Sequence, residues 1–238
     1  MNPPVLLAAA PSVMNGLASR PVLVFIAIGA LSIAPFVLLL LTSFVKIAVV
    51  LGILKSALGA AQVPPSPVIT GLALILTLYV MAPTGERMMR AADADLGRAS
   101  GAELLSGQSI EALCIAADKA KEPLRDFLLK QTSARDRSLF HQLALRMRGP
   151  SEHSSVSDRD FLVVGPAFLA SELRRAFEIG FLILIPFLVV DLVVANLLSA
   201  LGMSMLSPAS VSLPFKLLLF VLADGWQLLL RGLIESYV

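Results

Sequence analysis

Apolar residues occupy both ends of this chain, and polar residues occupy its middle. Residues 85–160 carry 12 of the 19 Lys and Arg residues and 12 of the 17 Asp and Glu residues. The flanking blocks hold uncharged stretches, such as residues 21–45, and about 20 apolar residues in a helix cross a bilayer. The pattern predicts a polytopic membrane protein with one water-exposed insert, divided into residues 1–83, 84–160 and 161–238.

All three regions are predicted to be helical. The insert spaces its apolar residues as a helix does, from Ile110 to Ala120, and it lacks the alternation typical of strands. We expect the helices of the insert to break near Pro123 and around residues 133–138. The predicted fold class is therefore all-α, built from helical hairpins.

Small residues follow a helical spacing in the first apolar block. Gly52, Ser56 and Ala60 recur at intervals of four, and such residues let membrane helices approach closely. The alternative is ordinary small-residue content with no role in packing.

Charged residues interrupt the apolar runs of the C-terminal block: Glu172, Arg174, Arg175, Glu178, Asp191, Lys216 and Asp224. Each charge at bilayer depth costs about 2.5–3.5 kcal/mol, so we expect these side chains to face protein or water. On a helix, Glu172 can meet Arg175, and Arg174 can meet Glu178. The other three need partners elsewhere in the fold or on another chain. Intersubunit or interhelix ion pairs are the favoured interpretation, and a proton relay is the alternative.

The sequence "LGMSMLSP", residues 201–208, is predicted to form a loop. Gly202 allows backbone conformations that other residues avoid, and Pro208 stops a helix. Met203 and Met205 are flexible and polarizable, so a ring of such loops could form a deformable apolar plug. The alternative is that both methionines fill gaps in the core.

No catalytic constellation is visible in the sequence, and we predict no enzyme, no cofactor and no metal site. His141 and His153 lie in the insert without metal-ligand spacing, and no phosphate-binding glycine-rich loop is present. The net charge of +2 is too small for a nucleic-acid footprint.

Four long segments resemble a known family. "LLTSFVKIAVVLGILKSALG" and "PPSPVITGLALILTLYVMAP" are similar to its first two blocks, and "PAFLASELRRAFEIGFLILIPFLVVDLVVANLLSALGMSMLSP" and "VSLPFKLLLFVLADGWQLL" to its last two. The family is SctR/FliP, the core of the type III secretion export apparatus. The resemblance covers residues 35–83 and 166–230, and the insert carries no recognisable motif.

The resemblance implies a pentamer that assembles with SctS/FliQ-like and SctT/FliR-like subunits into a helical cone. It implies passage of unfolded proteins through this gate and a methionine gasket at Met203 and Met205. Because Ser204 separates the methionines and the start is not signal-like, the sequence leans toward the injectisome (virulence) branch over the flagellar one.

The expected location is the bacterial inner membrane, with part of the chain projecting into the periplasm. Lys46 and Lys55 favour a cytoplasmic connection between the first two apolar segments, which would put the insert on the far side. The alternative function is an ion-coupled small-solute transporter that uses Asp191 and Asp224. Transporters commonly contain internal repeats, and none is found between the two apolar blocks.

Overall fold

The computed structural model describes residues 29, 32–33, 35–59, 64–100, 107–148, 156–203 and 205–238, with side chains for all of these except 94–100 and 107–114. The N-terminal segment, most of the first predicted span, Ala60 and Ser204 therefore lie outside the described residues. The chain forms two compact units, Met1–Leu39 and Leu40–Val238. In the first unit, residues 35–39 are helical.

Seven helices follow among the described residues of the second unit: α1 (Phe44–Leu58), α2 (Ser66–Ser100), α3 (Gly107–Gln131), α4 (Ala134–Met147), α5 (Phe161–Ala200), α6 (Pro208–Leu222) and α7 (Gly225–Glu235). No strand occurs among the described residues, so the all-α prediction is confirmed. The predicted boundary at residue 84 falls inside α2, whereas the boundary at residue 161 coincides with the start of α5.

Prolines inside the long helices do not end them. α3 runs without a break through Pro123, so the predicted break there is wrong. Leu124, Phe127 and Leu128 follow directly and are buried, and this packing holds the helix together across the missing hydrogen bond. The second predicted break is confirmed, because α4 starts anew after Ser133, whose side chain accepts a hydrogen bond from the Asp136 amide.

The larger core surrounds α1, which packs against α2, α5 and α6. Ile47, Val50, Leu51 and Leu54 of α1 are buried in this core, together with Ala176, Phe187, Phe220, Leu229 and Leu233. A smaller core joins α3 to α5 and to Tyr237, through Phe127 and Phe168. Both cores therefore include side chains of α5.

α1 and α5 approach each other closely at Gly180. A Cβ atom placed on Gly180 would lie 2.3 Å from Ile53 Cδ1, so only glycine fits without displacing that side chain. A Cβ on Gly52 would meet no atom within 4 Å. Within the described part of this chain, the close approach is therefore between Gly180 of α5 and Ile53 of α1, and not at Gly52.

In the part of the chain that the structure describes, two helices are long and apolar enough to cross a membrane, namely residues Ser66–Asp93 of α2 and all of α5, Phe161–Ala200. α6 and α7 are bent by 61° relative to each other and pass the same test only as a pair. These spans in the described residues agree with a membrane protein. Charged residues interrupt the apolar sequence of the C-terminal block, but α5 continues through them as one helix of 40 residues.

Candidate functional site

A buried set of polar side chains, the Lys46 cluster, consists of Lys46, Glu172, Arg175 and Tyr237. Lys46 Nζ lies 3.4 Å from one carboxylate oxygen of Glu172, and Arg175 Nη1 lies 3.4 Å from the other. The Tyr237 hydroxyl donates a hydrogen bond to Glu172. Glu172 and Arg175 meet as their spacing predicted, and Glu172 also neutralises a cation on another helix.

Lys46 has no exposed surface, and its ammonium group finds no hydrogen-bond acceptor within the described structure. Its Nζ lies 3.5 Å from the centroid of the Tyr237 ring, which attracts the cation electrostatically. Burial lowers the pKa of Lys46 to about 8, although the negative charge of Glu172 acts to raise it. Burial raises the pKa of Tyr237, and Glu172 raises it further.

The position of Lys46 also changes the topology argument. A buried lysine on a packed helix does not mark an exposed connection, so it cannot count toward a cytoplasmic turn. Lys55, which donates a hydrogen bond to Ser66 Oγ at 2.8 Å, remains as the positive charge at the junction of α1 and α2.

A second polar set, the Asp136 cluster, joins the corner between α3 and α4 to α5. Asp136 accepts hydrogen bonds from Ser133 and Ser171, each at 2.7 Å, and pairs with Arg174 at 2.6 Å. Burial alone would raise the pKa of Asp136, but the hydrogen bonds and the Arg174 charge bring it below its ordinary value. Arg174 is thus paired with Asp136, and the predicted partner Glu178 is not its partner among the described ion pairs.

A third set, the Lys216 clamp, consists of Lys216, Asp191, Ser212 and the Ala57 carbonyl. Lys216 Nζ lies 2.7 Å from Asp191 Oδ2 and donates a hydrogen bond to the Ala57 carbonyl at 3.1 Å. Ser212 Oγ donates to Asp191 Oδ1 at 2.6 Å. Two of the charges without a sequence neighbour are therefore partners across α5 and α6, and both are tied to the end of α1.

The described residues between α5 and α6, 201–203 and 205–207, are called the methionine loop. Gly202 has φ of 70°, and the Met203 amide donates to the Leu198 carbonyl while the Gly202 amide donates to the Ser199 carbonyl. These two bonds are a Schellman motif, which ends a helix in a fixed geometry. Met203 is 48% exposed and Met205 is 98% exposed. Neither methionine fills a core gap, so that alternative does not hold within this chain.

The two remaining candidate charges stay exposed. Glu178 lies on α5 between exposed apolar residues, including Phe177 and Phe181. Asp224 lies at the bend between α6 and α7, with φ of 49°, and its side chain does not cap α7. The transporter alternative gives roles to Asp191 and Asp224, and in the structure Asp191 is paired with Lys216. The described residues do not include a group of three potential metal ligands.

Sequence reasoning missed several members of these sets. Tyr237 and Ser212 gave no signal, because an isolated tyrosine or serine has no characteristic spacing. Asp136 was hidden among the charges of the insert. Lys46 did carry a usable signal, since a lysine in an apolar helix without a nearby acid requires a distant partner.

Comparison with known proteins gives a match to the model of the FliP family over residues 27–233. The hypersensitivity response secretion protein HrcR of Ralstonia nicotianae is 42% identical over 208 residues, which cover 87% of this chain and 93% of the relative. The Yop proteins translocation protein R of Yersinia pestis is 45% identical over 213 residues, 89% and 94% of the two chains. The flagellar biosynthetic protein FliP of Caulobacter vibrioides is 46% identical over 222 residues, 93% and 78%.

Proposed function

Because this chain belongs to the FliP family, we propose that it is a core subunit of a type III secretion export gate, through which unfolded proteins cross the bacterial inner membrane. The observation that carries the proposal is the family match over most of the chain, with relatives whose names describe secretion, translocation and flagellar biosynthesis. The chain conducts and gates without catalysing a reaction, and the energy for export comes from other components.

The subunit works as part of a ring. We infer a homo-oligomer, with five copies as the family resemblance implies, joined by SctS/FliQ-like and SctT/FliR-like subunits. Large apolar side chains of α5 and α6 are exposed, and α5, α6 and α7 border an apolar cavity of about 470 Å³. Surfaces of this kind mark contacts with partners or lipid, which supports an assembly of several hydrophobic chains.

A pore that exports proteins must not let ions leak across the membrane, so it needs a seal. Met203 and Met205 serve as that seal in our proposal, with one methionine loop from each copy around the axis. The exposure of both side chains supports this role, because they are free to contact other copies. Flexible thioether side chains can deform around a passing chain and close behind it.

The proposal places the insert on the periplasmic side and the chain in the injectisome branch. The sequence "GMSM" supports the branch, and secretion proteins of plant and animal pathogens are among the relatives. Because flagellar relatives have a similar sequence identity, the branch is tested directly by asking whether the chain complements an injectisome mutant or a flagellar mutant.

The function is tested by native mass spectrometry and by secretion. The chain is expressed with the products of its neighbouring genes, extracted in detergent and weighed. A ring of five that carries smaller hydrophobic subunits supports the proposal, and a monomer or dimer that ignores them contradicts it. In cells that lack the native subunit, the chain should restore secretion of a reporter protein.

The seal is tested separately in the assembled complex. The double variant Met203→Ala, Met205→Ala should leak small ions from reconstituted vesicles while the ring stays intact. Met147→Ala is the matched control, because Met147 is 87% exposed but lies at the end of α4, in the insert. Leakage of the double variant at the background level would contradict the sealing role.

A further inference from the structure

The methionine loop is anchored at its base by the Lys216 clamp. Asp191 on α5 and Ser212 on α6 face each other across the hairpin whose tip is this loop, and a hydrogen bond of 2.6 Å joins them. Lys216, one turn further along α6, adds an ion pair of 2.7 Å to the same carboxylate. Two polar contacts from α6 therefore hold it to Asp191 on α5, the other flank of the loop.

Lys216 also ties this hairpin to a third helix. Its Nζ donates to the carbonyl of Ala57, in the last turn of α1, where no helical amide follows to occupy that oxygen. Gly59, in the left-handed region with φ of 73°, ends α1 there, and a Cβ on it would lie 3.6 Å from Lys216 Nζ. Lys216 thus lies at the junction of α1, α5 and α6.

Hydrogen bonds connect the described residues of the loop to one another and to α5. The Schellman bonds hold Gly202 and Met203 to the end of α5, and the Leu206 amide donates to the Met203 carbonyl at 3.2 Å. The position of these residues therefore depends on how the two flanking helices are held. The side chains that hold them are polar, although an apolar contact would serve packing equally well.

We propose that Lys216, Asp191 and Ser212 are positioning residues that fix the methionine loop relative to α1. The proposal rests on the sealing role proposed for Met203 and Met205, and it adds the device that sets where they stand. Without the clamp, the hairpin of α5 and α6 is still packed by Phe187 and Phe220, but the loop is no longer registered to the rest of the subunit.

The test measures amide hydrogen exchange in the co-purified complex, in lipid nanodiscs, over the peptide that spans residues 198–207. The Gly202, Met203 and Leu206 amides report on the loop. In Lys216→Met these amides should exchange about tenfold faster, the size expected when one buried charged hydrogen-bonding group loses its partner. Amides in the middle of α1 and α5 should keep their wild-type rates.

Substitutions at Asp191 provide a conservative comparison, because its side chain is partly exposed. Asp191→Ala should accelerate exchange in the loop, whereas Asp191→Glu, which keeps the carboxylate, should restore slow exchange. Ser212→Ala removes one hydrogen bond and should give a smaller acceleration in the same amides. If the Lys216→Met variant fails to assemble, Ser212→Ala provides the test in its place. Glu235→Gln breaks the exposed pair with Arg231 and should leave the loop unchanged.

Unchanged exchange in the loop of the assembled clamp variants would overturn the proposal. Equal acceleration throughout all helices would overturn it too, since that result describes a general loss of stability. Ion leakage measurements distinguish the positioning role of the Lys216 clamp from the sealing role of the methionines. If Met203→Ala, Met205→Ala stays tight while Lys216→Met still loosens the loop, positioning stands and sealing is wrong. If the methionine variant leaks and the clamp variants leave the loop unchanged, sealing stands and positioning is wrong.

Discussion

Lys46 Nζ and Glu172 Oε2 lie 3.4 Å apart, and neither side chain has any exposed surface. Lys46 belongs to α1, before the insert, and Glu172 belongs to α5, after it. The pair therefore joins the two apolar blocks across the polar region that separates them in sequence. Tyr237, close to both groups, completes the contact.

Breaking this pair at Glu172 should be strongly destabilising. Glu172→Gln leaves the buried ammonium of Lys46 without its counter-charge, and loss of one member of a buried pair typically costs about 3–5 kcal/mol. The double variant Lys46→Met, Glu172→Gln should recover much of this loss, because no uncompensated charge remains. Thermal unfolding in detergent measures both. Additive effects of the two single changes would contradict the coupling, and Arg231→Met, in an exposed pair, serves as control.

The same lysine predicts a dependence of stability on pH. The pKa of Lys46 is about 8 in the folded protein and 10.5 ordinarily, so between these values the unfolded chain binds more protons. Stability attributable to Lys46 therefore rises as the pH increases from about 8 toward 10. The raised pKa of Tyr237 acts in the opposite direction above its ordinary value of 10, so the useful window ends there.

This is measured as the difference between the wild type and Lys46→Met in unfolding free energy, at intervals from pH 7 to pH 9.5. The wild type should gain stability relative to the variant across this window. Parallel curves would mean that Lys46 keeps an ordinary pKa despite its burial.

Gly180 provides a test of helix packing. Gly180→Ala places a methyl group 2.3 Å from Ile53 Cδ1 and 3.2 Å from Cγ1 and Cγ2, so α1 and α5 must separate or Ile53 must move. Overpacking of this kind costs about 1–3 kcal/mol. Gly52→Ala, where the new methyl group meets nothing within 4 Å, should be neutral or stabilising because alanine favours helix.

The two variants are compared by melting temperature. Ile53→Ala combined with Gly180→Ala should recover part of the packing loss relative to the sum of the single changes. Equal stability of Gly180→Ala and Gly52→Ala would show that the helices adjust freely at this crossing.

Glu178 tests the contacts between subunits. It is an exposed charge on an apolar helix, so it requires water or a partner on another chain. Charge reversal, Glu178→Lys, should weaken the ring on native gels without lowering the unfolding temperature of the isolated subunit. Glu235→Lys at the end of α7 is the control. A normal ring with Glu178→Lys would remove this residue from the interface.

Helix content followed from the sequence because it depends on local composition and periodicity. The uncharged stretches of residues 68–83 and 179–190 are each short for a full span, and both lie inside longer helices that are apolar enough to cross a membrane. Glu172 and Arg175 were paired correctly because one helix brings residues three apart together.

Pairs across helices could not be found in this way. Arg174 has Glu178 as a helical neighbour, yet it pairs with Asp136, a buried carboxylate already held by Ser133 and Ser171. A prearranged, buried acceptor forms a stronger ion pair than an exposed side chain on the same helix. The position of that acceptor depends on how α4 docks on α5, which no local pattern records.

The Lys46 cluster also constrains the order in which the protein can be built. Ribosomes add about 5–20 residues per second, so Lys46 is made on the order of ten seconds before Glu172, and Tyr237 later still. During that interval α1 carries a cation whose counter-charge does not yet exist, and a lone charge is poorly accommodated in lipid. α1 therefore reaches its final place only after α5 has been synthesised, and until then it stays with water or with the machinery that inserts the chain.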